Sequence, residues 1–241
     1  MMDIIIGIGL LLFTLALFSL FSFKAPKGNK AMSGLANAAV ATFLVEAIHK
    51  YISGDLLNLS FLRQVGESSG SMGGVAAAIL VPIAMGVNPI YAVVAGVALG
   101  GYGILPGFVA GYIVGLVAPI IEKKLPEGLD TIVGALVIAP LARVIALGVD
   151  PIVNSTLISI GEMISTAAQQ SPYVMGFLLG GIMKITCTSP LSSMALTAMI
   201  GLQGLAMGIA AIACVGGSFT NGIIFKKLKL GNKSKDRKSV V

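Results

Sequence analysis

Apolar runs recur along this chain from Ile4 to Phe225, and that pattern constrains the fold more than any other feature. The runs are about 15 to 22 residues long, enough when wound as helices to reach across a hydrocarbon core of roughly 30 Å. Hydrophobic residues make up 56% of the 241 and charged residues 11%, so the polar side chains cannot cover a water-soluble globule of this size. A membrane has to be the solvent. In lipid every backbone polar group must find its partner inside the protein, which leaves helices or a closed barrel. The sequence lacks the alternation of a barrel strand. The expected class is therefore all-α, a polytopic transmembrane helical bundle. The 31 glycines lie in the apolar runs among alanines and serines, which fits close packing of membrane helices.

Charge then orients the runs. The net charge of +6 sits in short clusters between apolar segments and after the last one: Lys24, Lys27 and Lys30, then Lys123 and Lys124, then Lys226 onward. This is the distribution of positive-inside topology signals, and it argues against nucleic acid as a partner. The amino end carries Asp3, with the lysines following the first run, so that run reads as a retained span with its N-terminus outside, not as a cleaved signal. The tail to Val241 is Lys- and Ser-rich and is expected to be disordered in the cytoplasm. Cys187 and Cys214 lie in apolar stretches without CxxC or CxxH spacing, and read as packing residues; no metal site and no cofactor is expected. With one histidine and no GxSxG, P-loop or HExxH, the chain holds no self-contained catalytic site, so energy must come from a gradient or a partner.

After the first span (residues 1–30, with its basic loop), one module occurs twice at an offset of about 100 residues. The first copy (31–125) has a helix from Met32 to Tyr51, a polar stretch to Ser71, a Gly/Ala-rich run, the breaker Asn88-Pro89, a second run to Gly101 and a third ending in Lys123-Lys124. The second copy (126–230) has a helix from Thr131 to Gly148, a polar stretch to Ser171, a Gly-rich run, the breaker Ser189-Pro190, a run to Gly201 and a third ending in Lys226-Lys227. Residues 231–241 form the tail. Four segments per copy make the repeats parallel and give about nine spans or re-entrant segments, with both Lys-Lys ends on the side of Lys24 to Lys30. The polar stretches Gly54 to Gly70 and Asp150 to Pro172 are expected to lie along an interface or to cover a cavity.

Ionisable groups inside spans are costly, which makes each a functional candidate. Glu46 and His49 stand three apart, on one face of an α-helix, and together offer a donor and an acceptor for a polyol or a proton relay; an anchoring role at the headgroups, shared with Lys50 and Tyr51, is the alternative. Arg143 and Lys184 are read as buried charges that need a partner, with Asp150, Glu162 and Glu46 as the candidates, or as snorkelling side chains. In Thr188-Ser189-Pro190-Leu191-Ser192-Ser193, proline frees backbone groups and the hydroxyls of Thr188, Ser189, Ser192 and Ser193 can bind a neutral, hydroxyl-rich ligand. Asn88-Pro89 is the matching break, and paired interrupted helices point to a transport site. The alternative is that each proline simply begins an ordinary helix.

Three stretches carry a likeness to a known family: Tyr102-Gly103-Ile104-Leu105-Pro106-Gly107-Phe108, Ala139-Pro140-Leu141-Ala142-Arg143, and above all Thr188 through Ala198. Through them the chain resembles the phosphotransferase-system EIIC-like membrane proteins, a group that includes PfoR-type regulators, over nearly its whole length to Gly231. The resemblance implies a sugar-translocating IIC component of the bacterial cytoplasmic membrane. It would bind a sugar or polyol outside, carry it inward and present it to separate IIA and IIB proteins, since no such domain is in this chain. Members usually continue into a further membrane segment, where this chain ends in its basic tail. A homo-oligomer is expected. A ligand-binding sensor of the PfoR type and a gradient-driven secondary transporter are the rival functions; the first predicts binding without accumulation, the second a response to uncouplers.

Overall fold

The computed structural model describes residues 2–126, 129–188, 197, 202 and 204–227. Its elements are α1 (Met2–Lys24), α2 (Gly28–Ala39) continued by π-wound segments Val40–Leu44 and Ala47–Leu56, α3 (Ser60–Ser71), α4 (Gly73–Met85), α5 (Pro89–Val97), α6 (Ile104–Lys124), α7 (Leu129–Gln170), α8 (Pro172–Thr188) and α9 (Gly204–Lys227). Every one of these elements is helical, as composition and run length demand. The chain divides into two compact units: residues 22–156 in one, and 1–21 with 157–241 in the other.

In the unit of residues 22–156, α2 and its π continuation run one way and α3 with α4 return beside them. The turn between them is made at Asn58, with φ of 55°, where Leu57 N–H bonds the Ile52 carbonyl and Leu59 N–H the Ser53 carbonyl. The returning arm bends by 58° between α3 and α4. Gly34 of α2 meets the Leu80–Val81 backbone so closely that an added Cβ would lie 2.6 Å from it. Lys27 Nζ bonds the Met85 carbonyl at 2.9 Å, placing the amino end of α2 at the carboxyl end of α4.

Helix α6 lies parallel to α4. A Cβ on Gly107 would strike the Gly74 backbone, one on Gly111 would come within 3.0 Å of Ala78 Cα, and one on Gly115 would meet the Met85 thioether. These three glycines, four apart, are one row of α6. A second row (Ala110, Val114 and Ala118) shares one buried cluster with Tyr91 and Ala95 of α5, Leu99 just after it, and Ile138, Ala142 and Ala146 of α7. Spacing by four puts each set on one helix face, so α6 is packed on two sides. Past Gly115, α6 runs on beyond Met85 and Lys27 to Lys123 and Lys124.

Helix α4 stops because Gly86 takes φ of 92° and its N–H returns to the Ile83 and Pro82 carbonyls, the left-handed stop that glycine allows. Three residues later α5 begins, and its nine residues span only about 14 Å, less than half a bilayer core. So α4 and α5 form a short helical hairpin, and α5 does not cross on its own.

In the other unit α8 packs on α9. The polar stretch after Asp150, expected as a separate segment, instead continues α7 to Gln170. No residue there takes the left-handed conformation that Asn58 takes before α3. Large apolar side chains face outward on several helices, among them Leu136 and Leu147 of α7 and Phe177 of α8 at 81% exposure. Rows of this kind belong in lipid. Among the described residues, Gly28–Asp55, Ile104–Lys124 and Ile132–Val153 are long and apolar enough to cross, and the bent pair α3–α4 makes a fourth candidate.

Candidate functional site

The Glu46/His49 region departs from the α-helix assumed for it. Thr42 Oγ1 bonds the Ala38 carbonyl at 2.8 Å, a side-chain competitor for an acceptor of the helix ladder, and the backbone widens to π winding from Val40. With i→i+5 bonds more than four residues fill a turn, so His49, three residues on, turns away from Glu46, while Lys50, four residues on, stays beside it. Lys50 Nζ and Glu46 Oε1 form an ion pair of 3.1 Å, each side chain about a quarter exposed (26% and 24%). The buried His49 Nδ1 has no hydrogen-bond partner among the described residues, an unusual cost for a polar atom inside a protein.

Helix α3 closes over this face. A Cβ on Gly66 would lie 2.5 Å from Lys50 N, and one on Gly70 would strike the Glu46 carboxylate. Gly66 and Gly70 are a small-xxx-small pair, the spacing by which membrane helices approach closely. Arg63 of the same helix joins Asp55 at 3.3 Å across the hairpin end and Glu67 at 3.1 Å one turn along α3. Sequence reading left out this α3 contribution; the Gly66/Gly70 spacing was the available signal.

At the first proline break the structure takes the plainer of the two readings. Asn88 Oδ1 accepts from Ile90 N–H at 3.1 Å as a helix cap, and Pro89 occupies the first turn, where its missing N–H costs nothing. The other end of α5 is held from α7. Arg143 Nη1 donates to the carbonyls of Ala98 at 2.9 Å and Gly100 at 3.1 Å, and the guanidinium carbon lies 4.5 Å from the centre of the Tyr102 ring. Arg143 is thus exposed, not buried, and its partners are backbone oxygens and an aromatic face instead of a carboxylate. The reason is its position: Ile138, Ala142 and Ala146 fill the buried face of α7, and Arg143 reaches round it to carbonyls at the end of α5, where cations are favoured.

Residues 29–236 match the family described as "Phosphotransferase system, EIIC", a range that takes in every helix from α2 on and both proline breaks. The chain belongs to the phosphotransferase-system EIIC family. This EIIC chain is accordingly a multi-pass membrane protein of a transport system, and the family implies a sugar substrate and IIA and IIB partners. No curated protein matches it. No solved structure does either. In its other unit, Lys184 Nζ bonds the Gly217 carbonyl of α9 at 2.8 Å. Thr188 ends α8, but its side chain and the whole of Ser189, Pro190, Ser192 and Ser193 lie outside the described residues.

Proposed function

We propose that this chain is the sugar-translocating membrane component of a phosphoenolpyruvate-dependent phosphotransferase system, moving a small sugar or polyol to separate IIA and IIB proteins on the cytoplasmic side. The family match over residues 29–236 carries the reading. It sits in the bacterial cytoplasmic membrane as a homo-oligomer, N-terminus outside and C-terminus inside. About nine spans or re-entrant segments are arranged as two parallel repeats, 31–125 and 126–230. Two features support that arrangement: α4 packs on α6 in one unit as α8 packs on α9 in the other, and Lys27 lies at the end of α4 toward which α6 runs to Lys123.

Glu46 and His49 are the sugar-binding pair in this reading, with Asn88, Pro89, Thr188, Ser189, Pro190, Ser192 and Ser193 lining the path. What supports Glu46 and His49 is a charged pair under a glycine face beside a histidine nitrogen with no partner. The test is uptake from a panel of hexoses, pentitols and hexitols into vesicles holding the IIA and IIB proteins. Glu46→Gln removes a charge-assisted hydrogen bond and is expected to lower uptake about tenfold or more, with the protein still folded. Ser189→Ala should reduce it less. Full uptake by both variants would remove these assignments. Ligand binding without accumulation would favour a sensor, and uptake that ignores IIA and IIB but collapses with uncouplers would favour a secondary transporter.

A further inference from the structure

We propose that Arg143 holds an anion, a carboxylate or a phosphate, between its free Nε–H and Nη2–H groups, and that the solute this carrier takes is therefore acidic. The inference deepens the permease reading and rests on it. A guanidinium has five N–H donors. Nη1 spends its two on the carbonyls of Ala98 and Gly100, and Arg143 has no other hydrogen-bond partner among the described residues. The three donors left include the Nε–Nη2 edge, where two N–H bonds point the same way and match two oxygens of one carboxylate or phosphate. Tyr102 lies over the guanidinium plane and the two carbonyls fix its rotation, so the edge is held in one direction.

Charge makes the same demand. Arg143 stands eleven residues into the apolar stretch Ile132–Val153, near its middle. Among the other cations of this unit, Lys50 lies on Glu46 and Arg63 on Asp55 and Glu67, while Lys27, at the end of its span, has the Met85 carbonyl. Arg143 has only carbonyl dipoles, which orient a charge without neutralising it. A full positive charge in apolar surroundings is stabilised by an anion, and a neutral sugar hydroxyl cannot supply one. The side chain is exposed in the structure.

The test uses the whole protein in phosphatidylcholine nanodiscs, titrated with D-glucuronate, D-glucose and inorganic phosphate and read by calorimetry and thermal shift. Glucuronate and glucose share a ring and differ in the carboxylate. The wild type is expected to bind an anionic probe at about tenfold lower concentration than glucose, a difference of about 1.4 kcal/mol. Arg143→Lys keeps the charge but loses the fork and should weaken that binding about tenfold, while Tyr102→Phe, which keeps the ring, should not. In case the variant fails to fold, phenylglyoxal modification of wild-type Arg143, followed by mass spectrometry, gives a second reading: the anions should protect and glucose should not. Equal binding of glucose and glucuronate, with no protection, overturns the inference. Stabilisation only in discs containing phosphatidylglycerol, and lost in Arg143→Lys, assigns the anion to a lipid headgroup and overturns the acidic solute. Uptake of a neutral hexose that Arg143→Lys leaves unchanged overturns the inference and keeps the permease; anion binding without any transport does the reverse.

Discussion

Gly107→Leu is expected to leave little folded protein. The parallel pair α4 and α6 meets backbone to backbone, and a Cβ at position 107 would fall on the Gly74 backbone. Backbone cannot swing aside as a flexible side chain can, so the helices must separate. Their neighbours Ala77, Ala78 and Val81 then lose the contacts that bury them. Overpacking of this kind costs about 3 kcal/mol or more, a large share of the stability of most domains. Gly148→Ala is the control. It lies on α7 with nothing within 4 Å of its added Cβ, and should be neutral or gain about 0.5–1 kcal/mol from helix propensity. Thermal unfolding in detergent, followed by size-exclusion chromatography, separates the two. A Gly107→Leu variant that melts with the wild type would refute the α4–α6 packing.

Gly66→Leu is expected to abolish transport while the α4–α6 core survives. Its side chain would meet Lys50 N, Cβ and Cα, so α3 must lift from the π-wound strand of the hairpin and expose the Glu46–Lys50 pair. Removing the cover admits water to an ion pair that is otherwise partly shielded from it. Uptake should fall more than about tenfold, and amide exchange should rise in residues 47–66 but not in α4 and α6. Unchanged uptake with raised exchange would show that the closed hairpin is not needed for transport; unchanged exchange would show that α3 does not approach Lys50 as described.

How much of this was legible follows from which interactions are local. Run length and composition were enough for the helical class, because lipid leaves a chain few choices. The Asn88-Pro89 start of α5 was readable as well, since a cap and a first-turn proline are neighbours in sequence. The partners of the charges were not. Glu46 and His49 looked paired on the assumption of α winding, and the π winding that turns the third residue away goes with Thr42 and a packed α3. Arg143 was read as pairing with a carboxylate or snorkelling, whereas it bonds backbone oxygens at the end of α5, and Lys184 too reaches a carbonyl, on α9. Every residue carries a carbonyl, so only the fold reveals which one is free to accept. The polar stretch after Asp150 was misread for a related reason: polarity was taken as a break, but a helix ends where the backbone turns, and none of its residues turns.

The account depends most on the lysine clusters lying together on the cytoplasmic face. With Cys187 and Cys214 first replaced by serine, single cysteines at Lys27, Lys123 and Lys226 can be labelled by an impermeant maleimide from each side, in intact cells and in inverted vesicles. All three are expected to react from the cytoplasmic side alone. Labelling of Lys123→Cys and Lys226→Cys from opposite faces would contradict the parallel arrangement and the permease topology built on it.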